Sequence, residues 1–148
     1  MVSKHKLIPS IYLLINSSNT NESLRSRKMR IFIRPKYFLG TSSETHMVDL
    51  MMITKEESFH EFIHHEGSVK PIWCLLTDSE PDENPRYLAN ILKYLLIFKE
   101  LDVDYLTVRT HTPGQSAYNP VERSMTSLSG KLAGIVLNAF NYGSILAM

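Results

Sequence analysis

Val69–Thr77 reads VKPIWCLLT, and Asp78 follows it at once. A short, nearly continuous apolar run of this kind predicts a strand covered on both faces. An Asp at its carboxyl end sets a charge at the edge of a sheet, where open α/β folds bind their ligands. Cys74 lies inside the run and is expected to be a small buried residue; as the single cysteine it forbids an internal disulfide.

The flanking segments place this strand in a larger pattern. Pro85–Leu101 (PRYLANILKYLLIFKEL) predicts a helix with a broad apolar face of Leu88, Ile91, Leu92, Leu95 and Ile97–Phe98. Val103–Val108 predicts another strand, His111–Tyr118 a loop with a Pro113-Gly114 turn, and Pro120 to about Leu137 a helix. Upstream, Leu7–Ile15 is apolar and β-branched, and Met29–Arg34 (MRIFIR) alternates with period two, so the two predict a hairpin across a long polar connection. From Glu44 the spacing of Met47, Leu50, Met51, Phe59, Phe62 and Ile63 is helical, with a break near Thr54, Thr54 capping a second helix, and Gly67 as stop signal. The order is β-β-α-β-α-β-α. Strands alternating with helices in the second half imply a right-handed crossover and a parallel pair.

Composition adds limits. The chain has 148 residues, 43% hydrophobic and 21% charged, which fits one globular domain. No apolar stretch approaches the ~18 residues of a membrane span. Lys4 and Lys6 before Leu7–Ile15 are mildly signal-like, and sequons follow at Asn16 and Asn21, but Pro9 and Ser10 interrupt the apolar run. Net charge is +1 but uneven: residues 1–40 hold eight Lys/Arg and one acid, residues 41–148 eight Lys/Arg and fourteen acids. A basic end suits a phosphate backbone, although solvated basic loops have the same composition.

Three stretches are candidates for chemistry. His60-Glu61-Phe62-Ile63-His64 (HEFIH) matches the H-E-x-x-H pattern, in which two His one helical turn apart bind zinc and the Glu acts as base. The third ligand of the longer pattern falls at Lys70, a poor zinc ligand, so the match is read as accidental and the metalloprotease as a remote alternative. Asp78 with Glu80, Asp82 and Glu83 forms a carboxylate cluster suited to Mg²⁺. As a purely structural reading, Asn84 as N-cap and Pro85 at the first helical position account for Asp82–Pro85. In Gly114–Met125 (GQSAYNPVERSM), Asn119 is a good N-cap, Pro120 a good first residue, and Glu122 falls where a capping box wants an acid. The functional reading has Glu122 pointing over the sheet edge toward Asp78.

"D-S-E-P" followed by "S-A-Y-N-P-V-E" resembles the second and third acidic motifs of DDE transposases and integrases. More closely, KPIWCLLTDSEPDENPRYL and DYLTVRTHTPGQSAYNPVERSMTSLSGKLAG resemble a family of transposon-derived eukaryotic proteins, over about Lys70–Gly134 and weakly back to Lys4–Tyr12. The resemblance implies a ribonuclease-H-like fold, Mg²⁺ as cofactor, DNA as partner and a nuclear location. It assigns Asp78 and Glu122 as catalytic, metal-binding acids that orient a water or 3′-hydroxyl for attack on a phosphodiester. It departs in three places. The first acid of the family's triad has no counterpart, since no Asp precedes Asp49; the family's Gly-Gly after the second acid is Ser79-Glu80; and Asn138–Met148 diverges.

The expectation is therefore a single partial ribonuclease-H-like domain over residues 1–148, with its first, central strand missing and residues 138–148 as a divergent tail. Such a chain folds marginally alone and does not catalyse, and a protein partner or an oligomer supplies the absent strand. The alternative is a non-catalytic nucleic-acid-binding module using Lys4–Lys36 with Arg109, His111 and Arg123.

Overall fold

The computed structural model describes residues 7–16, 27–35, 40–112, 114–115 and 118–133. The described residues form a mixed α/β fold with four helices and three small sheets. Strands β1 (Leu7–Ile15) and β2 (Arg27–Pro35) form an antiparallel pair in which Tyr12 faces Arg30 and Ser10 faces Phe32. Helix α1 (Ser43–Lys55) follows, then a 3₁₀ turn at Glu57–Phe59 and the single turn α2 (His60–Ile63). A minimal hairpin, β3 (His64–His65) and β4 (Ser68–Val69), leads into β5 (Ile72–Thr77). Helix α3 (Leu88–Glu100) connects β5 to β6 (Tyr105–Thr110), and α4 (Pro120–Leu132) closes the described chain. β5 and β6 are parallel, with Trp73 beside Leu106, as the strand–helix–strand pattern requires.

Local chemistry explains most boundaries. Ser42 caps α1: its hydroxyl accepts from the Thr45 N–H while the Thr45 side chain accepts from the Ser42 N–H, a reciprocal box. The break after α1 comes at Glu56, near Thr54 as expected, but Thr54 does not cap the next turn: its hydroxyl bonds back to the Met51 carbonyl. Glu66 and Gly67 take the positive φ values that close the β3–β4 turn. Asn119 caps α4 by accepting from the Val121 N–H, with Pro120 first in the helix, as expected. The expected extension of α4 to Leu137, and residues 138–148, lie outside the described residues.

Helix α3 starts later than expected. Asn84 does not cap it: its side chain accepts from the Arg86 N–H, and Tyr87 holds the N-cap position without a side-chain bond. The helix also faces the other way. Asn90, Lys93, Tyr94 and Ile97 are buried, while Leu88, Ile91, Leu92, Leu95 and Phe98 of the expected core face are exposed. The reason is the acidic loop before it. Asn90 donates to the carbonyls of Pro81 and Asn84 (both 2.8 Å), Lys93 to that of Asp82 (3.3 Å) and Tyr94 to that of Glu83 (2.7 Å). Backbone carbonyls folded under the helix need donors, and only the polar stripe of α3 supplies them.

The core is correspondingly small. One cluster joins Tyr94, Ile97, Leu101 and Val103 to Met47, Leu50, Trp73 and Leu75; the other joins Ile53, Phe59 and Ile63 to Tyr12, Leu14 and Phe32. Both lie on one face of the sheets. Among the described residues β5 is therefore covered on one side: Trp73 and Leu75 point in, whereas Ile72 and Leu76 are 65% and 63% exposed and Cys74 is exposed too. This corrects the expectation of a strand buried on both faces with Cys74 inside. The described residues include no helix long and apolar enough to cross a membrane.

Candidate functional site

Asp78 leaves β5 at its carboxyl end, exposed, and accepts from the Glu80 N–H at 3.0 Å. The ladder runs one step further beside it, where the His111 N–H donates to the Thr77 carbonyl. His111 and the first turn of α4, Asn119–Val121, line the same cavity as Asp78. The fold thus brings Asp78 and the residues just before Glu122 to the wall of one cavity. Glu122 is exposed and is not part of that cavity's wall. Arg109, at the end of β6, and Arg123, on α4, are both exposed.

Among the described residues no three His, Cys, Asp or Glu side chains gather to hold a metal ion. Asp78 has one oxygen engaged by its own loop, and Glu122 does not share its cavity. These residues alone do not form a Mg²⁺ centre. At HEFIH the helix ends at Ile63, so His60 and His64 do not share a helical face, although their rings lie 4.4 Å apart. Burial, then the neighbouring His60, pushes the His64 ring below its usual value. The carbonyl of Glu61 accepts from Lys70.

A second set of groups lies behind Asp78, and sequence reasoning did not find it. Arg34 of β2 pairs with Asp49 of α1, which is 1% exposed. The Tyr12 hydroxyl donates to Asp49 (3.0 Å) and sits 2.7 Å from His46 Nδ1. With the hydroxyl proton directed at Asp49, the Tyr12 oxygen is left to accept from that nitrogen. His46 Nε2 reaches Asp82 at 3.2 Å, and Nδ1 lies 3.5 Å from Glu83. The chain of contacts crosses from the hairpin through α1 to the acidic loop.

Its titration follows from burial. Tyr12 is pushed well above the ordinary phenol value, first by burial and then by Asp49. Burial raises the Glu83 carboxyl, with Asp78 and Asp82 adding to the effect against His46 and Lys93. Burial works the same way on Asp82, but hydrogen bonds from Thr41 and His46 outweigh it and hold that carboxyl low. Lys93 is lowered, chiefly by burial.

Glu83 yields a prediction. A carboxyl raised in the folded state binds its proton more readily there than in the unfolded chain. Its contribution therefore falls as pH rises from the unfolded value through the folded one. Glu83→Gln removes that loss. Urea midpoints are expected to be higher for the variant at pH 7 and to converge with the parent at about pH 3, below the carboxyl's range in both states.

The basic residues of β2 are largely spoken for. Arg34 serves Asp49, Arg30 pairs with Glu56 at 3.2 Å, and Lys28 donates to the Ser58 carbonyl. Arg30 and Arg34 also flank the Phe32 ring. No protein-family model, curated protein or solved structure matches the chain.

Proposed function

We propose that the chain derives from a DDE-type transposase or integrase, with a ribonuclease-H-like catalytic domain as its ancestor, and that residues 1–148 do not cleave or join DNA by themselves. One observation carries the reading. An Asp directly ends a strand of a parallel pair, and the first turn of the helix bearing Glu122 lines the same cavity. An acid at the carboxyl edge of such a pair is one of those that phosphodiester chemistry with a divalent ion uses, while Glu122, outside that cavity's wall, is assigned by the resemblance alone. The incomplete ligand set argues against turnover, and Mg²⁺ belongs to the ancestral activity.

The test is a plasmid-nicking and labelled-duplex assay in Mg²⁺ or Mn²⁺. The chain is expected to give no more product than its Asp78→Asn/Glu122→Gln double variant. Metal-dependent nicking that Asp78→Asn abolishes would overturn the proposal.

A non-catalytic nucleic-acid-binding role is the second reading. Exposed Arg109 and Arg123, with His111 between their elements, favour it, since Lys28, Arg30 and Arg34 are engaged within the fold. The same assay separates the readings. Binding of duplex DNA would weaken with salt and lose about one unit of salt slope per Arg removed, with no response to Asp78→Asn.

A further inference from the structure

We infer that His60 and His64 form a two-imidazole site for one divalent transition ion of the Ni²⁺, Cu²⁺ and Zn²⁺ group. The backbone sets the pair. Helix α2 ends at Ile63 and His64 turns to extended φ and ψ, yet its N–H still donates to the His60 carbonyl. From the other side the Lys70 N–H donates to the Ile63 carbonyl at 2.7 Å, and His64 pairs with Val69 across the β3–β4 turn. The main chain thus holds both residues in place. Their rings come to 4.4 Å between centres, tilted by 58° and not stacked. His64 Nδ1 is buried and has no hydrogen-bond partner. Buried polar atoms nearly always have a partner, and an orphan marks a place for a water or an ion.

The donors select the ion. Imidazole suits Ni²⁺, Cu²⁺ and Zn²⁺ and leaves Mg²⁺ to oxygen ligands. Spacing narrows the choice. With a metal–nitrogen bond of about 2.05 Å, an ion stands ~3.2 Å from each ring centre. Two rings at a right angle about the ion are then ~4.5 Å apart, and at the tetrahedral angle ~5.2 Å. The observed 4.4 Å fits the right angle, which tetragonal Cu²⁺ and Ni²⁺ prefer. The surrounding sequence is anionic: Glu56–Gly67 holds Glu56, Glu57, Glu61 and Glu66 and no Lys or Arg. His65 takes no part, because consecutive residues of a strand point to opposite faces, and its ring lies 3.7 Å from Glu66. Water fills the remaining positions, so the ion is exchangeable. Hydrolysis is not implied, since Lys70 stands where a zinc peptidase has its third ligand. The site is independent of Asp78 and Glu122.

The test uses the untagged chain, stripped with a chelator and titrated calorimetrically with Ni²⁺, Zn²⁺ or Mg²⁺ alone. One Ni²⁺ per chain is expected, bound more tightly than Zn²⁺, with no response to Mg²⁺. His60→Ala and His64→Ala should each weaken it by about tenfold or more, and His65→Ala should leave it unchanged. His60 is exposed, so its alanine variant keeps the fold. Saturating Ni²⁺ should also raise the urea midpoint of the parent and of His65→Ala, and not that of His60→Ala. Uptake that survives both His60→Ala and His64→Ala, or that falls equally in His65→Ala, would mean an adventitious ion only and overturn the inference. So would the absence of saturable Ni²⁺ uptake by the parent.

Discussion

Arg34→Met should remove a large part of the chain's stability in plain buffer. Asp49 is 1% exposed, and its carboxylate is held by Arg34 and the Tyr12 hydroxyl. Removing the guanidinium leaves a buried charge with one neutral donor, which costs about 3–5 kcal/mol in comparable sites. Arg34 also bonds the buried Ser10 hydroxyl at 2.8 Å and rests on Phe32, so the hairpin loses its tie to α1 in the same step. Domains of this size are stable by only ~5–15 kcal/mol, and this one has a small core. Urea denaturation followed by far-ultraviolet circular dichroism measures the loss. Adding Asp49→Asn to the variant should recover part of it, because the orphaned charge goes too. A loss under ~1 kcal/mol from Arg34→Met would mean that the pair is solvated and behaves as a surface ion pair.

Ile97→Ala carries the second large effect. Ile97 is fully buried, and its inward neighbours on α3 are Asn90, Lys93 and Tyr94. Those three hold the acidic loop, so Ile97 is the aliphatic anchor of the helix on the sheet. Truncating a buried Ile to Ala costs about 2–5 kcal/mol, part transfer and part cavity. The contrast is Leu92→Ala one turn away, where the side chain is 52% exposed; there the change should lie within ~0.5 kcal/mol. Equal losses at the two positions would mean that the outer face of α3 is covered in solution.

The sequence was most legible where one local rule decides. Leu7–Ile15 is a strand over those same residues because a β-branched run between polar segments has one reading. The parallel β5–β6 pair follows from strand–helix–strand order, and the start of α4 from Asn119-Pro120. Legibility failed where distant groups compete. Leucines at helical spacing in α3 mark a core face, yet the carbonyls of Pro81–Asn84 take the polar stripe inward instead. Apolar continuity in VKPIWCLLT suggested cover on both faces, but among the described residues only the Trp73 and Leu75 side of β5 joins the core, and Ile72, Cys74 and Leu76 stay exposed.

The candidate site divides the same way. Asp78 at a strand end and Glu122 in a first helical turn were readable as positions, because strand ends and caps have local signals. Tyr12, Arg34, His46 and Asp49 were not, since their meeting depends on how the hairpin lies against α1. A faint signal existed in Lys28, Arg30, Phe32 and Arg34: cations that alternate with apolar residues share one face of β2, and that face needs acids opposite.

The division into two strand pairs has a consequence for cooperativity. Where one continuous sheet spans a domain, opening any strand breaks its neighbours' ladders. Among the described residues the hairpin and the β5–β6 pair share no backbone hydrogen-bond ladder; the polar contacts of α1 and the apolar cluster around Ile53, Phe59 and Ile63 join them. The hairpin is thus free to peel away while the strand–helix–strand unit stays closed. Unfolding then passes through partial openings in which side-chain contacts, and not a shared ladder, are what the hairpin breaks first.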